Sequence, residues 1–244
     1  VSGDTHQMPP SSYFDTGNAM LIEATDLEET EELDDEMTSE ELKTQDVVEK
    51  ESLLAYAEDV GYSRSFLDFH YRSQHPYLID FSNAAFYGSR LVTMPIKQNY
   101  KPIRFIEVNG VYDKSTNQAE IDAVMQILLN EIIPINSSSS ETTEYPSIGV
   151  ATFNIYQRNL LLETIEQHKQ KDESIAARFA AYEEKGFFVK NLENIQGDER
   201  DIMILTTTFG LKPDGKFIQN FGPINQSKGY KLLNVIITRA RQMI

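Results

Sequence analysis

The residues most able to do chemistry lie in four short stretches that are far apart in the chain. Gly3-Asp4-Thr5-His6-Gln7-Met8-Pro9-Pro10 comes first, and Phe69-His70-Tyr71-Arg72-Ser73-Gln74-His75-Pro76 second. Asn194-Ile195-Gln196-Gly197-Asp198-Glu199-Arg200-Asp201 is third, and Leu233-Asn234-Val235-Ile236-Ile237-Thr238-Arg239-Ala240-Arg241 closes the set. Arg72 and Arg239 are the candidates for phosphate chemistry. A guanidinium stays charged, and its planar fork binds phosphate oxygens in pairs, which suits charge building on a leaving phosphate oxygen. The competing role for any arginine is a surface ion pair, and Arg241 serves equally as a solubilising residue. Gln7 carries an amide that donates and accepts at once, the requirement for a relay between two sites. It also reads as a turn residue ahead of Pro9-Pro10. Gly197 lets backbone approach closely, although Gln196-Gly197-Asp198 also reads as an ordinary polar turn between strands. Tyr71 and Tyr156 offer ring faces for stacking; at such spacing aromatic residues more often join a core.

Other patterns lead elsewhere. Gly210-Leu211-Lys212-Pro213-Asp214-Gly215-Lys216-Phe217 fits the start of a phosphate-binding loop. The next position must supply a hydroxyl for magnesium, and Phe217 has none. Pro213-Asp214-Gly215 reads as a tight turn. His6, His70, His75 and His168 lack metal-ligand spacing, so no metal site is expected. Asn136-Ser137-Ser138 and Asn225-Gln226-Ser227 fit the glycosylation pattern with nothing else to indicate secretion.

The 244 residues, 40% of them apolar and 25% charged, are enough for one large domain or two small ones with a real core. No window approaches ~18 consecutive apolar residues, which excludes a membrane span of helical type. With no cysteine, disulfides and thiolate metal sites are ruled out, and a reducing, cytoplasmic location is expected. A net charge of -16 argues against a nucleic-acid partner until its location is considered. Residues 23–51 hold fourteen acids against Lys43 and Lys50, a net of -12, which leaves -4 for everything else. That run reads as a solvated helix or mobile insert. Asp34-Asp35-Glu36 follows no apolar strand, so it does not read as a magnesium-binding box.

Elements that position these stretches alternate. Val47 to Val60 has helical spacing with Gly61 as its stop, and a second helix runs from Pro76 to Tyr87 before Gly88. Ile103–Val108 alternates like a strand. Asn117 and Glu120 form an Asn version of the capping box, opening a helix that ends near Pro134. Ile148–Phe153 reads as a buried strand, followed by helices over Gln157–Gln170 and Asp172–Tyr182. Phe187–Lys190 and Ile202–Thr208 read as strands, and Leu232–Arg241 as a helix. The expected fold class is α/β, a mainly parallel sheet with helices on both faces.

In order, the four stretches resemble motifs III, IV, V and VI of superfamily 1 helicases. They look closest to the branch containing the nonsense-mediated-decay RNA helicase and the immunoglobulin-mu-binding helicase. Ile148-Gly149-Val150-Ala151-Thr152-Phe153-Asn154-Ile155-Tyr156-Gln157 resembles the family segment between IV and V. The resemblance implies a RecA-like second lobe over 52–244, truncated at its end, with the tail of the first lobe over 1–22 and the acidic insert between. It implies ATP with Mg2+ in an intact parent, the magnesium ligands lying outside this chain. Partners would be single-stranded DNA or RNA and the missing first lobe. Catalytic roles fall on Arg72, Arg239 and Gln7, nucleotide contacts on Gln196, Gly197, Glu199 and Tyr71, and nucleic-acid contacts on Thr152, Gln157 and Asn191. Motif V departs from the pattern, with Asn191 and Glu193 where Thr or Ser and Asp are usual. Alone, the chain is expected to be inactive as an ATPase. The alternatives are a non-catalytic adaptor that kept the lobe fold and an acidic interaction domain with chance motifs.

Overall fold

A computed structural model describes residues 3–8, 53–95, 100–135, 144–217, 221–227 and 229–244. The acidic stretch over 23–51 lies outside the described residues. The chain divides into two compact units, Val1–Phe66 and Leu67–Ile244. In the first, helix α1 (Leu53–Asp59) ends as its sequence asks. Gly61 takes φ 83°, and the amides of Gly61 and Tyr62 close back on the carbonyls of Glu58 and Ala57. Those are the paired bonds of a glycine-terminated helix end.

The second unit is built on a four-stranded sheet with the order β4-β3-β5-β6. Its strands are β3 (Ile148–Thr152), β4 (Phe188–Asn191), β5 (Arg200–Thr206) and β6 (Ala240–Met243). Every neighbouring pair is parallel. A separate parallel pair, β1 (Phe69–His70) and β2 (Val92–Thr93), flanks helix α2 (Tyr77–Phe86) in sequence. The remaining helices are α3 (Gln118–Gln126), α4 (Ile155–Lys171), α5 (Glu173–Glu184) and α6 (Gly229–Ile237). None among the described residues is long and apolar enough to cross a membrane.

Alternation along β3 explains the layers. Ile148 and Val150 point to one face, where α3 and the π-helical turn after it (Ile127–Glu131) supply Ile121 and Leu128, and α4 and α5 supply Leu161, Ile165, Phe179 and Tyr182. Ala151 points to the other face, against Leu78 of α2 and Ile236 of α6. Both faces are buried, so β3 reads as one apolar run rather than as alternation with polar residues. Tyr182 is fully buried and donates its hydroxyl to the Leu128 carbonyl at 2.7 Å, which removes the penalty of hiding a phenol.

Two sequence expectations change. Ile103–Val108 forms no strand: its described ladder is limited to Arg104 N–H on the Ile244 carbonyl and Ile244 N–H on Pro102. Leu232–Arg241 is not one helix. Helix α6 stops at Ile237 and β6 begins at Ala240. The Thr238 hydroxyl donates to the Asn234 and Val235 carbonyls, and Arg239 Nε donates to Val235 at 3.0 Å. These side chains occupy last-turn carbonyls and end the helix. Gly210–Phe217 is the expected turn, with Leu211 and Phe217 bridged across it and Lys212 N–H on Lys216.

Candidate functional site

Arg239 and Glu199 reach the amino edge of the sheet because each immediately precedes a strand, Ala240 opening β6 and Arg200 opening β5. Arg239 is 3% exposed, its Nε held on the end of α6. A cation at a helix C-terminus is favoured by the partial negative charge of the free carbonyls. Burial lowers the pKa of Arg239, and the positive charge of Arg72 lowers it further. The two guanidinium groups therefore share one electrostatic neighbourhood although their residues are 167 positions apart.

Arg72 arrives from the turn after β1. His70 Nε2 accepts the Ser73 N–H at 3.1 Å and lies 2.9 Å from the Ser73 hydroxyl, which folds the chain so that Arg72 projects between them. The next residues fasten to β6, with Gln74 N–H on the Arg241 carbonyl and the Ser73 hydroxyl 3.4 Å from the Ala240 carbonyl. Arg72 Nε meets Glu199 Oε2 at 2.7 Å, and its Nη1 lies 3.4 Å from the Thr238 carbonyl. Two faces of the guanidinium are thus fixed, one by a carboxylate and one by the residue before Arg239.

Gln196 and Gly197 form the turn that delivers Glu199. Asp198 N–H closes onto the Ile195 carbonyl, and Gly197 takes φ 92°, the third-position geometry that favours glycine. Tyr71, beside Arg72, is 76% exposed. Gln7 belongs to the other unit, where its amide donates to Asp4 Oδ2 at 3.0 Å within a tight local turn.

The three residues expected to contact nucleic acid gather at the opposite, carboxyl edge. Thr152 ends β3 in register with Asn191 on β4 and Thr206 on β5. Strand β5 is seven residues long, so the two edges are separated by roughly 20 Å. Their side chains are turned inward. Thr152 is fully buried and donates to the Asn154 carbonyl. Gln157 is fully buried too: its Oε1 accepts Asn117 N–H at 2.8 Å, and its Nε2 donates to the Asn117 carbonyl at 3.1 Å. Asn191 is nearly buried, bonded to Glu193 and Asn194. Polar groups at the ends of buried strands satisfy one another before they meet solvent.

Asn117 caps α3 as expected, accepting Glu120 N–H on its side chain. Glu120 does more than close the box. Its carboxylate bonds the Thr206 and Thr207 hydroxyls and the Thr208 N–H. That role was not legible from the sequence, because the three threonines read as part of a strand.

Residues 49–244 match the family described as the AAA domain. The chain belongs to the AAA domain family. Its parallel sheet flanked by helices is an α/β fold of the RecA-like P-loop NTPase type. Among curated proteins it is similar to the uncharacterized ATP-dependent helicase homolog of Mycoplasma pneumoniae, 32% identical over 249 residues. It is similar also to the uncharacterized ATP-dependent helicase of Mycoplasma genitalium, 32% identical over 250 residues. All of the chain aligns with each, and it spans 20% of the length of either relative.

His70 gives this AAA-domain chain a testable acid response. Burial, then the charge of Arg72, lowers its pKa from 6.5 to about 4. The folded state therefore binds fewer protons than the unfolded state between those values, and stability falls as pH drops from 6.5 towards 4. After discounting for partial exposure the loss is about 1–2 kcal/mol. Urea unfolding at pH 7, 5.5 and 4 should show it, and His70→Gln should flatten the difference. Parallel pH profiles for the two proteins would assign the response to other groups.

Proposed function

We propose that this chain is the second motor lobe of an ATP-dependent superfamily 1 helicase or translocase, of the nonsense-mediated-decay and immunoglobulin-mu-binding type, acting on single-stranded DNA or RNA. The observation that carries the proposal is that Arg72 bonds Glu199 and reaches the carbonyl of Thr238, the residue before Arg239, at the amino edge of β5 and β6. The names of the relatives and the family match support the ATP-dependent part.

The residues fit a polyphosphate. Arg72 and Arg241 both pair with the Glu199 carboxylate, and Arg239 feels its charge. Desolvation of Arg239 strengthens its pull on an anion. Arg72 and Arg239 would hold the terminal phosphate and meet the charge that gathers on the leaving oxygen. Tyr71 would lie along the base, and Gln196, Gly197 and Glu199 near the sugar. Bound ATP with Mg2+ would supply the bond that is broken; the magnesium ligands and the phosphate loop would belong to the first lobe, and Gln7 would sense the terminal phosphate and couple it to nucleic acid. Thr152, Gln157 and Asn191 shape the carboxyl edge over which the nucleic-acid strand passes, and backbone groups and neighbouring side chains make the contact. The protein works in the cytoplasm.

The 244-residue chain alone should show no ATP hydrolysis above background, whereas the longer protein that contains it should hydrolyse ATP faster when single-stranded nucleic acid is added. Turnover by the purified chain alone would falsify the split site.

A further inference from the structure

The solubilising role that Arg241 has in the sequence does not survive its placement. It is the second residue of β6, and its Nη2 meets Asp201 Oδ1 at 3.0 Å and the Ser147 hydroxyl at 3.2 Å. Asp201 is itself pinned. Its Oδ2 accepts both the N–H and the hydroxyl of Ser147 at 2.9 and 2.7 Å, and its own N–H donates to the Ser147 oxygen at 2.9 Å. Gln242 Nε2 adds a contact to Asp201 Oδ1 at 3.3 Å. On its far side Arg241 Nη1 lies 3.9 Å from Glu199 Oε1, while Glu199 Oε2 takes Arg72 Nε. One line of alternating charge therefore runs Asp201, Arg241, Glu199, Arg72.

We propose that Arg241 is a positioning residue, which holds Glu199 from behind so that Glu199 in turn fixes the Arg72 guanidinium. Charge balance explains why such a device is useful. Arg72 and Arg241 both pair with Glu199, and the Arg239 charge is felt alongside them, so the carboxylate has to stay between like charges. Its side chain is 41% exposed and has long-chain freedom. A glutamate with that freedom holds its pose better when both oxygens face a charge. Arg241, held by Asp201, sets its guanidinium 3.9 Å from the second oxygen, an ion pair rather than a hydrogen bond.

The positional claim is independent of the proposed function; its effect on phosphate binding rests on that reading. The test uses the 244-residue chain and separates the two. Solvent exchange of the Arg72 Nε–H, followed by 15N-resolved NMR, should accelerate about tenfold in Arg241→Gln, the loss of one charge-assisted support. Exchange at Arg200 Nε–H, bonded to the Gly186 carbonyl, should stay unchanged. Arg241→Lys keeps one charge without the two-pronged reach and should restore part of the protection; it also serves if the Gln variant does not fold. Unchanged exchange at Arg72 in the folded variants would overturn the proposal. Pyrophosphate is the binding probe: about tenfold weaker binding in Arg241→Gln extends the relay to an anion site. If pyrophosphate fails to bind the wild-type chain while the exchange result holds, the relay stands and the phosphate reading falls.

Discussion

Replacing Arg239 by Ala in the intact parent protein should lower ATP turnover by about three to five orders of magnitude, with ATP binding weakened by less than about tenfold. Both halves of that expectation have structural reasons. Arg239 is held at the end of α6 by its Nε, so its terminal nitrogens are placed without rearrangement. A preplaced charge acts most strongly on the state in which new negative charge has formed, and acts less on the bound ground state. Burial enlarges the effect, since few waters compete for the guanidinium. Arg239→Lys keeps a charge but lacks the planar fork and the Nε bond to Val235, so its turnover should remain far below that of the native protein. Turnover of the Ala variant equal to that of the native protein would remove Arg239 from the site.

The second large effect is on stability. Gln157→Leu should destabilise the chain by about 3 kcal/mol, because both main-chain groups of Asn117 lose their buried partner at once. For a chain of this size that is a fall in Tm of roughly 10 °C. Gln167→Leu, ten residues on in the same helix and exposed with only a bond to Glu163, is the control and should change stability by less than about 0.5 kcal/mol. Equal melting temperatures for the two variants would show that the Asn117 bonds contribute little.

Much of this architecture was legible in the chain. The apolar run Ile148–Phe153, the Asn117 cap and the Gly61 stop each carry a local physical signal, and each has its counterpart in strand β3, helix α3 and the end of α1. The misreadings have a common cause. At Leu232–Arg241 the apolar period looks helical throughout, but the Thr238 and Arg239 side chains take the carbonyls that would have continued the helix. That competition depends on side-chain direction, which periodicity does not encode. Thr152, Gln157 and Asn191 are polar yet buried, and each is satisfied by its own neighbours: Thr152 by the Asn154 carbonyl, Gln157 by Asn117 and Thr206, and Asn191 by Glu193 and Asn194. Arg241 gained its role in the same way, from the strand that sets it beside Asp201.

The account stands or falls on whether Arg72 and Arg239 act on the same phosphate. Turnover of Arg72→Ala, Arg239→Ala and the double variant of the parent protein measures that directly. Groups that stabilise one developing charge as a unit lose most of their effect when either is removed. Each single variant should therefore lose about a thousandfold or more, and the double variant should be within about tenfold of the worse single. Full multiplication of the two losses, or native turnover in either single variant, would contradict a shared phosphate.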